Sequence, residues 1–337
     1  MASAAGLVLV ALGAWASAMP SGEAETSDCH QPQGSSAEDA ATPAGAVDGS
    51  SFRLLDAAFD IDPAKPDDLE RARISRQIQA MARSVRSRVA GLEDPGATVA
   101  AMREVVFEEF RFSPVGSKSG ALDTSMATKM QAKRGGCVLL VILYLALGDD
   151  LGIELEAAAA SSHLYVIRGE GRGKENVELL RRGELVSDQY YVSRYGVGAE
   201  AISRGLYLAA LPRSAIIASL ASNQGVMLLD RGDLLGAIER FDMAIRLYPH
   251  LEAALLNRGI ALVAAGRHEE AWSDFTGLIE GGYSGSDVLV NRAITSLALG
   301  RVEDALDDLA KAWAPLEEAS VGGIGLLQRL REEAKDR

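Results

Sequence analysis

The period of the apolar positions changes along the chain, and each change marks a different kind of element. Ile74, Ile78, Met81, Val85 and Val89 recur every three to four residues behind Asp67-Asp68. This predicts an amphipathic helix opened by the aspartates and stopped at Gly91. A second helix follows Pro95, with Val99, Met102, Val106 and Phe110 inward, and ends near Arg111-Phe112-Ser113-Pro114. The stretch RGGCVLLVILYLAL, Arg134 to Leu147, has almost no polarity on any face, so it predicts a buried helix starting at Cys137, followed by a turn over Gly148-Asp149-Asp150-Leu151-Gly152. Beyond it HLYVIR, His163 to Arg168, and NVELL, Asn176 to Leu180, read as strands joined by the glycine-rich GEGRGKE. A hairpin centred between Glu170 and Gly171 would place Asn176 opposite Tyr165 and diagonal to His163, with Glu178 directly opposite His163. A one-residue slip would turn both to the other face.

The last third repeats itself. Asn223, Asn257 and Asn291 are 34 residues apart, as are Gly232, Gly266 and Gly300, and Ala237, Ala271 and Ala305. Phe241, Phe275 and Leu309 keep the same phase, as do Gly225, Gly259 and Ala293. A helix-turn-helix unit of that period is the tetratricopeptide pattern. It predicts an all-α solenoid over 216–319, with units at 218–251, 252–285 and 286–319 and a polar capping helix at 320–337. Such repeats hold a peptide or another protein, or serve as an intramolecular buttress.

With 337 residues, 48% hydrophobic and 24% charged, the chain has the make-up of a globular protein of two folded units. A formal charge of −13 and a pI near 4.9 argue against nucleic acid as a partner. Arg71, Arg73, Arg76, Arg83, Arg86 and Arg88, on the outer face of the first helix, read as a solvated or acid-pairing surface. Residues 1–18 resemble a secretory signal ending in Ala16-Ser17-Ala18, which implies a periplasmic or secreted protein. The alternatives are a cytoplasmic chain or one anchored by its N-terminus. The apolar run is shorter than the roughly 20 residues of a membrane span, and stable insertion is not expected after cleavage. Residues 19–50 lack large apolar side chains and read as a disordered linker. Cys29, within it, could pair with Cys137 in an oxidising compartment, although the intervening distance disfavours a structural disulfide.

Cys137 is the residue with chemistry to offer. A thiol at a helix N-terminus is activated by the dipole and by a nearby imidazolium, and Gly135-Gly136 lets the backbone turn sharply before it. The plain alternative is a core cysteine. Of the four histidines, only His163 belongs to the same unit: His30 is in the linker, and His250 and His268 are in the repeats. Asn176 is the candidate orienter of its ring, and Glu178 the alternative. No cofactor or metal is implied, since GEGRGK lacks the phosphate-loop spacing and no paired-cysteine or His-Glu-x-x-His pattern occurs.

The order RGGC, apolar helix, HLYVIR, glycine turn, NVE resembles the transglutaminase-like superfamily, in which a cysteine caps a helix and His and Asp lie on adjacent strands. Within it, LLDAAFDID, VVFEEFRF and MQAKRGGCVLLVILYLALGDDLGI resemble the SirB-type branch. That resemblance covers residue 51 to the C-terminus. It implies a helical lead-in (51–112), an α+β papain/transglutaminase-like core (113–215) and the repeats. Ser161-Ser162 stands where that family often has Pro-Gly, and Asn176 where it has Asp. The implied chemistry is acyl transfer on an amide, by a peptidase, amidase or transferase. Cys137 would be nucleophile, His163 base and acid, and Asn176 orienter. The oxyanion would take the Cys137 N–H and the Gln131 side chain. The competing expectation is a non-catalytic protein-binding scaffold.

Overall fold

The computed structural model describes residues 54–317 apart from 93, 117–123, 170 and 284. The expected leader, the linker with Cys29 and the capping helix at 320–337 lie outside the described residues. The chain enters through α1 (Leu54–Asp60) and α2 (Asp68–Arg88). Asp67 caps α2 by accepting from the Glu70 N–H, and Ile74, Ile78, Met81 and Val85 are buried. Its arginine face is largely acid-paired, Arg71 with Asp60, Arg73 with Glu70, Arg88 with Glu109 and Arg86 with Asp150, while Arg76 and Arg83 are exposed.

Helix α3 (Pro95–Arg103), capped by Asp94, continues into a π-helical turn over Glu104–Glu109. The wider turn rotates the apolar stripe, so Val105, Val106 and Phe107 are all buried and Phe110, expected inward, is only partly so. A short parallel pair of β1 (Ser113–Pro114) and β2 (Arg134–Gly135) brackets α4 (Met126–Ala132) and leads into α5 (Cys137–Leu151).

Helix α5 is the axis of the main core, with Val138 through Leu145 buried without interruption. It runs a turn beyond the expected end at Leu147. Asp149 pairs with Arg213 and Asp150 with Arg86, and Gly152, at φ 72°, supplies the left-handed residue that closes the helix. Among the described residues no helix is long and apolar enough to cross a membrane.

The expected two-stranded hairpin is part of a five-stranded antiparallel sheet, ordered β6-β5-β4-β3-β7. Its strands are β3 (Glu156–Ala160), β4 (His163–Arg168), β5 (Glu175–Glu178), β6 (Glu184–Val186) and β7 (Ala210–Leu211). Strand β3 escapes sequence patterning because Glu-Ala-Ala-Ala-Ala has helical propensity. It is a strand because it fills the gap between β4 and β7, where five residues pair from Glu156 with Ile167 to Ala160 with His163. Ala157, Leu164, Val166 and Val177 belong to the main core. Ala158, Ala160, Tyr165 and Ile167 face a second cluster under α6 (Asp188–Tyr195) and α7 (Ala199–Ser203).

The C-terminal region is helical: α8 (Arg213–Asp230), α9 (Leu234–Leu247), α10 (Glu252–Ala264), α11 (His268–Glu280), α12 (Ser286–Ala298) and α13 (Val302–Glu317). Gly232, Gly266 and Gly300, one sequence column, all adopt φ between 74° and 78° in the turns. A Cβ on Gly225 would come within 2.6 Å of the Phe241 ring, and one on Gly259 within 2.5 Å of Phe275. Where the third unit has Ala293, the aromatic has become Leu309. Gly259→Ala is therefore expected to destabilise by about 1–3 kcal/mol. Gly277→Ala, within α11 and with nothing near its Cβ position, should instead stabilise by up to about 1 kcal/mol. Urea midpoints of the two variants check this pair.

The helical region is tied to the α+β unit. Gln224, buried on α8, donates to the carbonyls of Ile61 (3.1 Å) and Thr124 (2.8 Å). Tyr207 donates to Glu252 at 2.8 Å, and Arg204 to the Gly281 carbonyl at 2.6 Å.

Candidate active site

Each of the two elements that meet at Cys137 is anchored before the thiol is reached. The buried carboxylate of Asp62 accepts from the Ala127 N–H at 2.9 Å, holding the start of α4. The β1–β2 pair then fixes the backbone through Ser113 N–H to Lys133 O and Val115 N–H to Gly135 O, each 2.9 Å. Gly135 is obligatory here, since a Cβ would collide with the Leu139 side chain of the first turn of α5. Gly136 is the N-cap and contributes no capping side chain, so Cys137 occupies the first helical position. It is half-buried and carries a free thiol.

His163 opens β4 after a two-residue turn in which Ser161 takes φ 54°. The ring is buried, 3% exposed, and its Nε2 lies 2.8 Å from Oε2 of Glu178, which is fully buried. A carboxylate only accepts, so Nε2–H is the donor. The second oxygen of Glu178 accepts from the Leu180 N–H at 2.9 Å, which locks the carboxylate as the cap of a 3-10 turn over Leu179–Arg181. Cys137 stands on the ring's other flank, close enough to act on its protonation. The His163 pKa rises from 6.5 to about 9. Burial, the largest influence, favours the neutral ring, but the polar interactions with Cys137 and with the Glu178 carboxylate outweigh it.

The hairpin register accounts for the choice of partner. Val166 pairs with Val177, Ile167 with Asn176 and Arg168 with Glu175, a shift of two from the register centred between Glu170 and Gly171. The 3-10 turn at Gly171–Gly173 moves the hairpin centre one residue along. A shift of two keeps the face and exchanges neighbours. The diagonal place beside His163, expected for Asn176, falls to Glu178. Asn176 instead stands opposite Ile167, and its Nδ2 donates to the Val186 carbonyl at 3.2 Å and to Asp188 Oδ1 at 2.7 Å. The carboxylate of Glu178, and not the Asn176 amide, is therefore the side chain in contact with the His163 ring. Gln131 lies exposed near the end of α4.

Helix α6 adds residues that motif reading missed. The Tyr195 ring is stacked on the His163 ring with centroids 4.8 Å apart and planes 5° from parallel. Tyr191, one turn earlier and fully buried, lies 6.2 Å from His163 and stacks on Tyr165 at 3.8 Å. Burial first, and then the charge of Glu178, raises the Tyr191 phenol well above its usual range. The available signal was compositional: Tyr190, Tyr191 and Tyr195 are three of the chain's eight tyrosines, crowded into six residues.

A half-exposed thiol at a helix start, an imidazole behind it and a buried carboxylate behind the imidazole define a thiol–imidazole site on an α+β scaffold. Residues 72–219 match the family model of the transglutaminase-like superfamily, so the chain carries a transglutaminase-like domain there, followed by a mostly helical region. No curated protein and no solved structure matches the chain.

Proposed function

We propose that Cys137, His163 and Glu178 form a site for thiol-based acyl transfer on an amide. The single observation that carries this reading is the buried imidazole shared between a first-turn thiol and a buried carboxylate. With Nε2 committed to Glu178, Nδ1 is the nitrogen open to the thiol. With the Cys137 proton held on the His163 imidazole, Sγ bonds to the carbonyl carbon, and the oxyanion accepts from the Cys137 N–H at the positive end of α5. His163 returns that proton to the leaving amine as the C–N bond breaks, leaving a thioester. Water or a second amine, deprotonated by His163, then releases the acyl group and restores the thiol. Glu178 holds the ring in the tautomer that makes each step feasible and stabilises the imidazolium.

In this reading the helices over 216–319 are tetratricopeptide repeats of a SirB-type chain, and residues 1–18 direct export. Gln224 in the first unit, and the ties of Tyr207 and Arg204 to Glu252 and Gly281 in the second, favour two repeats that brace the α+β unit, leaving the third for a protein or peptide partner. Iodoacetamide labelling at pH 6 tests the site. Cys137 is expected to label at least about tenfold faster in the native chain than in His163→Ala, the effect of losing one charged partner of a thiolate. Equal rates in the two proteins would overturn the catalytic pair and leave a degenerate scaffold.

A further inference from the structure

We propose that Tyr195 is a positioning residue for the His163 imidazole, held over the ring by a clamp in which Asn176 and Lys174 grip the first residue of α6. The inference rests on the thiol-site reading and extends it to a part of the fold with no catalytic group of its own. The clamp is polar and partly buried. Asp188, the first residue of α6, accepts from Asn176 Nδ2 at 2.7 Å and from Lys174 Nζ at 3.0 Å, and Lys174 also donates to the Leu208 carbonyl at 2.9 Å. Asn176 is 4% exposed, and its Nδ2 is shared between this contact and the Val186 carbonyl. Seven residues on, two turns of helix, α6 delivers Tyr195 flat against the imidazole.

A parallel ring at 4.8 Å does two things for a histidine that must hold and release a proton. It removes rotation of the ring about its Cβ–Cγ bond, the freedom that a single hydrogen bond to Glu178 leaves, and its π face attracts the imidazolium over the neutral ring. Tyr195 is half-buried, so the same ring stands between the imidazole and solvent. The hydroxyl has no part in either effect. Among the described residues, the groups facing the imidazole are Cys137 from α5, Glu178 from β5, and Tyr191 and Tyr195 from α6, with Arg194 lying 5.4 Å from the centre of the Tyr195 ring.

The test uses the full chain, with iodoacetamide as the probe, from pH 5 to pH 10. Tyr195→Phe is expected to reproduce the wild-type profile. Tyr195→Leu should slow labelling of Cys137 at pH 6 by about three- to tenfold, the range of a partly desolvated cation–π contact, and move the alkaline limb to lower pH. A Tyr195→Leu profile that superimposes on wild type overturns the proposal. So does a Tyr195→Phe profile as damaged as that of Tyr195→Leu. Should Tyr195→Leu fail to fold, the wild-type protein decides by NMR: the His163 ring protons are expected upfield of those of an unstacked imidazole, and unshifted protons overturn the stack. Equal labelling in His163→Ala and wild type removes the thiol-site reading itself. Slowed labelling in His163→Ala with an unchanged Tyr195→Leu profile removes this inference alone.

Discussion

Glu178→Ala is expected to lower stability by about 3–5 kcal/mol, the usual result of removing one member of a buried ion pair. The side chain is fully buried, and both its oxygens are in use, one on His163 Nε2 and one on the Leu180 N–H. Truncation therefore strands a buried imidazole and uncaps the turn that follows β5. Glu178→Gln keeps the shape and one acceptor oxygen, so its cost should be about 1–2 kcal/mol. Urea denaturation decides, read as a shift in midpoint at constant slope. A Glu178→Ala midpoint within about 0.5 kcal/mol of wild type would mean that the carboxylate does not hold the ring. Both variants should slow thiol labelling at pH 6, because neither can balance an imidazolium with a full negative charge.

The second large effect is a loss of stability in mild alkali. The His163 pKa is raised from 6.5 in the unfolded chain to about 9 in the fold, so the folded state binds the proton more tightly. The resulting stabilisation is fully present below about pH 6.5 and is lost as pH rises through about 9. A difference of that size amounts to about 3 kcal/mol. Between these limits the wild type should lose stability while His163→Gln stays nearly level, and comparing urea midpoints at pH 6 and pH 9.5 measures the difference. Tyr165, Tyr191 and Tyr195 are also raised above their ordinary value of 10.0, chiefly by burial, so they add to the decline only above that pH. Parallel pH profiles for wild type and His163→Gln would assign the slope to other groups.

Much of the fold is legible where a local pattern has one physical solution. The stripe Ile74, Ile78, Met81, Val85 closes only as a helix with that face inward, and the unbroken apolar run after Cys137 is stable only as a buried helix. The 34-residue columns are explained by close approach: Gly225 and Gly259 have room for no side chain beneath Phe241 and Phe275. Strand β3 was illegible because alanines carry no alternation, and its conformation is imposed by neighbours distant in sequence. The tyrosines of α6 were illegible as site residues because their partner His163 lies about 30 positions away, across a sheet they cap.

By itself, the sequence determined that a thiol would stand at the start of a buried helix and that His163 would open a strand in the same unit. Those features depend on hydrophobic period and glycine placement, which act over a few residues. Which side chain would steady the imidazole depended on a loop. The 3-10 turn at Gly171–Gly173 advanced the hairpin by two residues, gave Glu178 to His163 and sent Asn176 to Asp188. Strand register is a long-range property, settled when the loop closes and both faces of the sheet find their cores, so it was decided only in the tertiary structure.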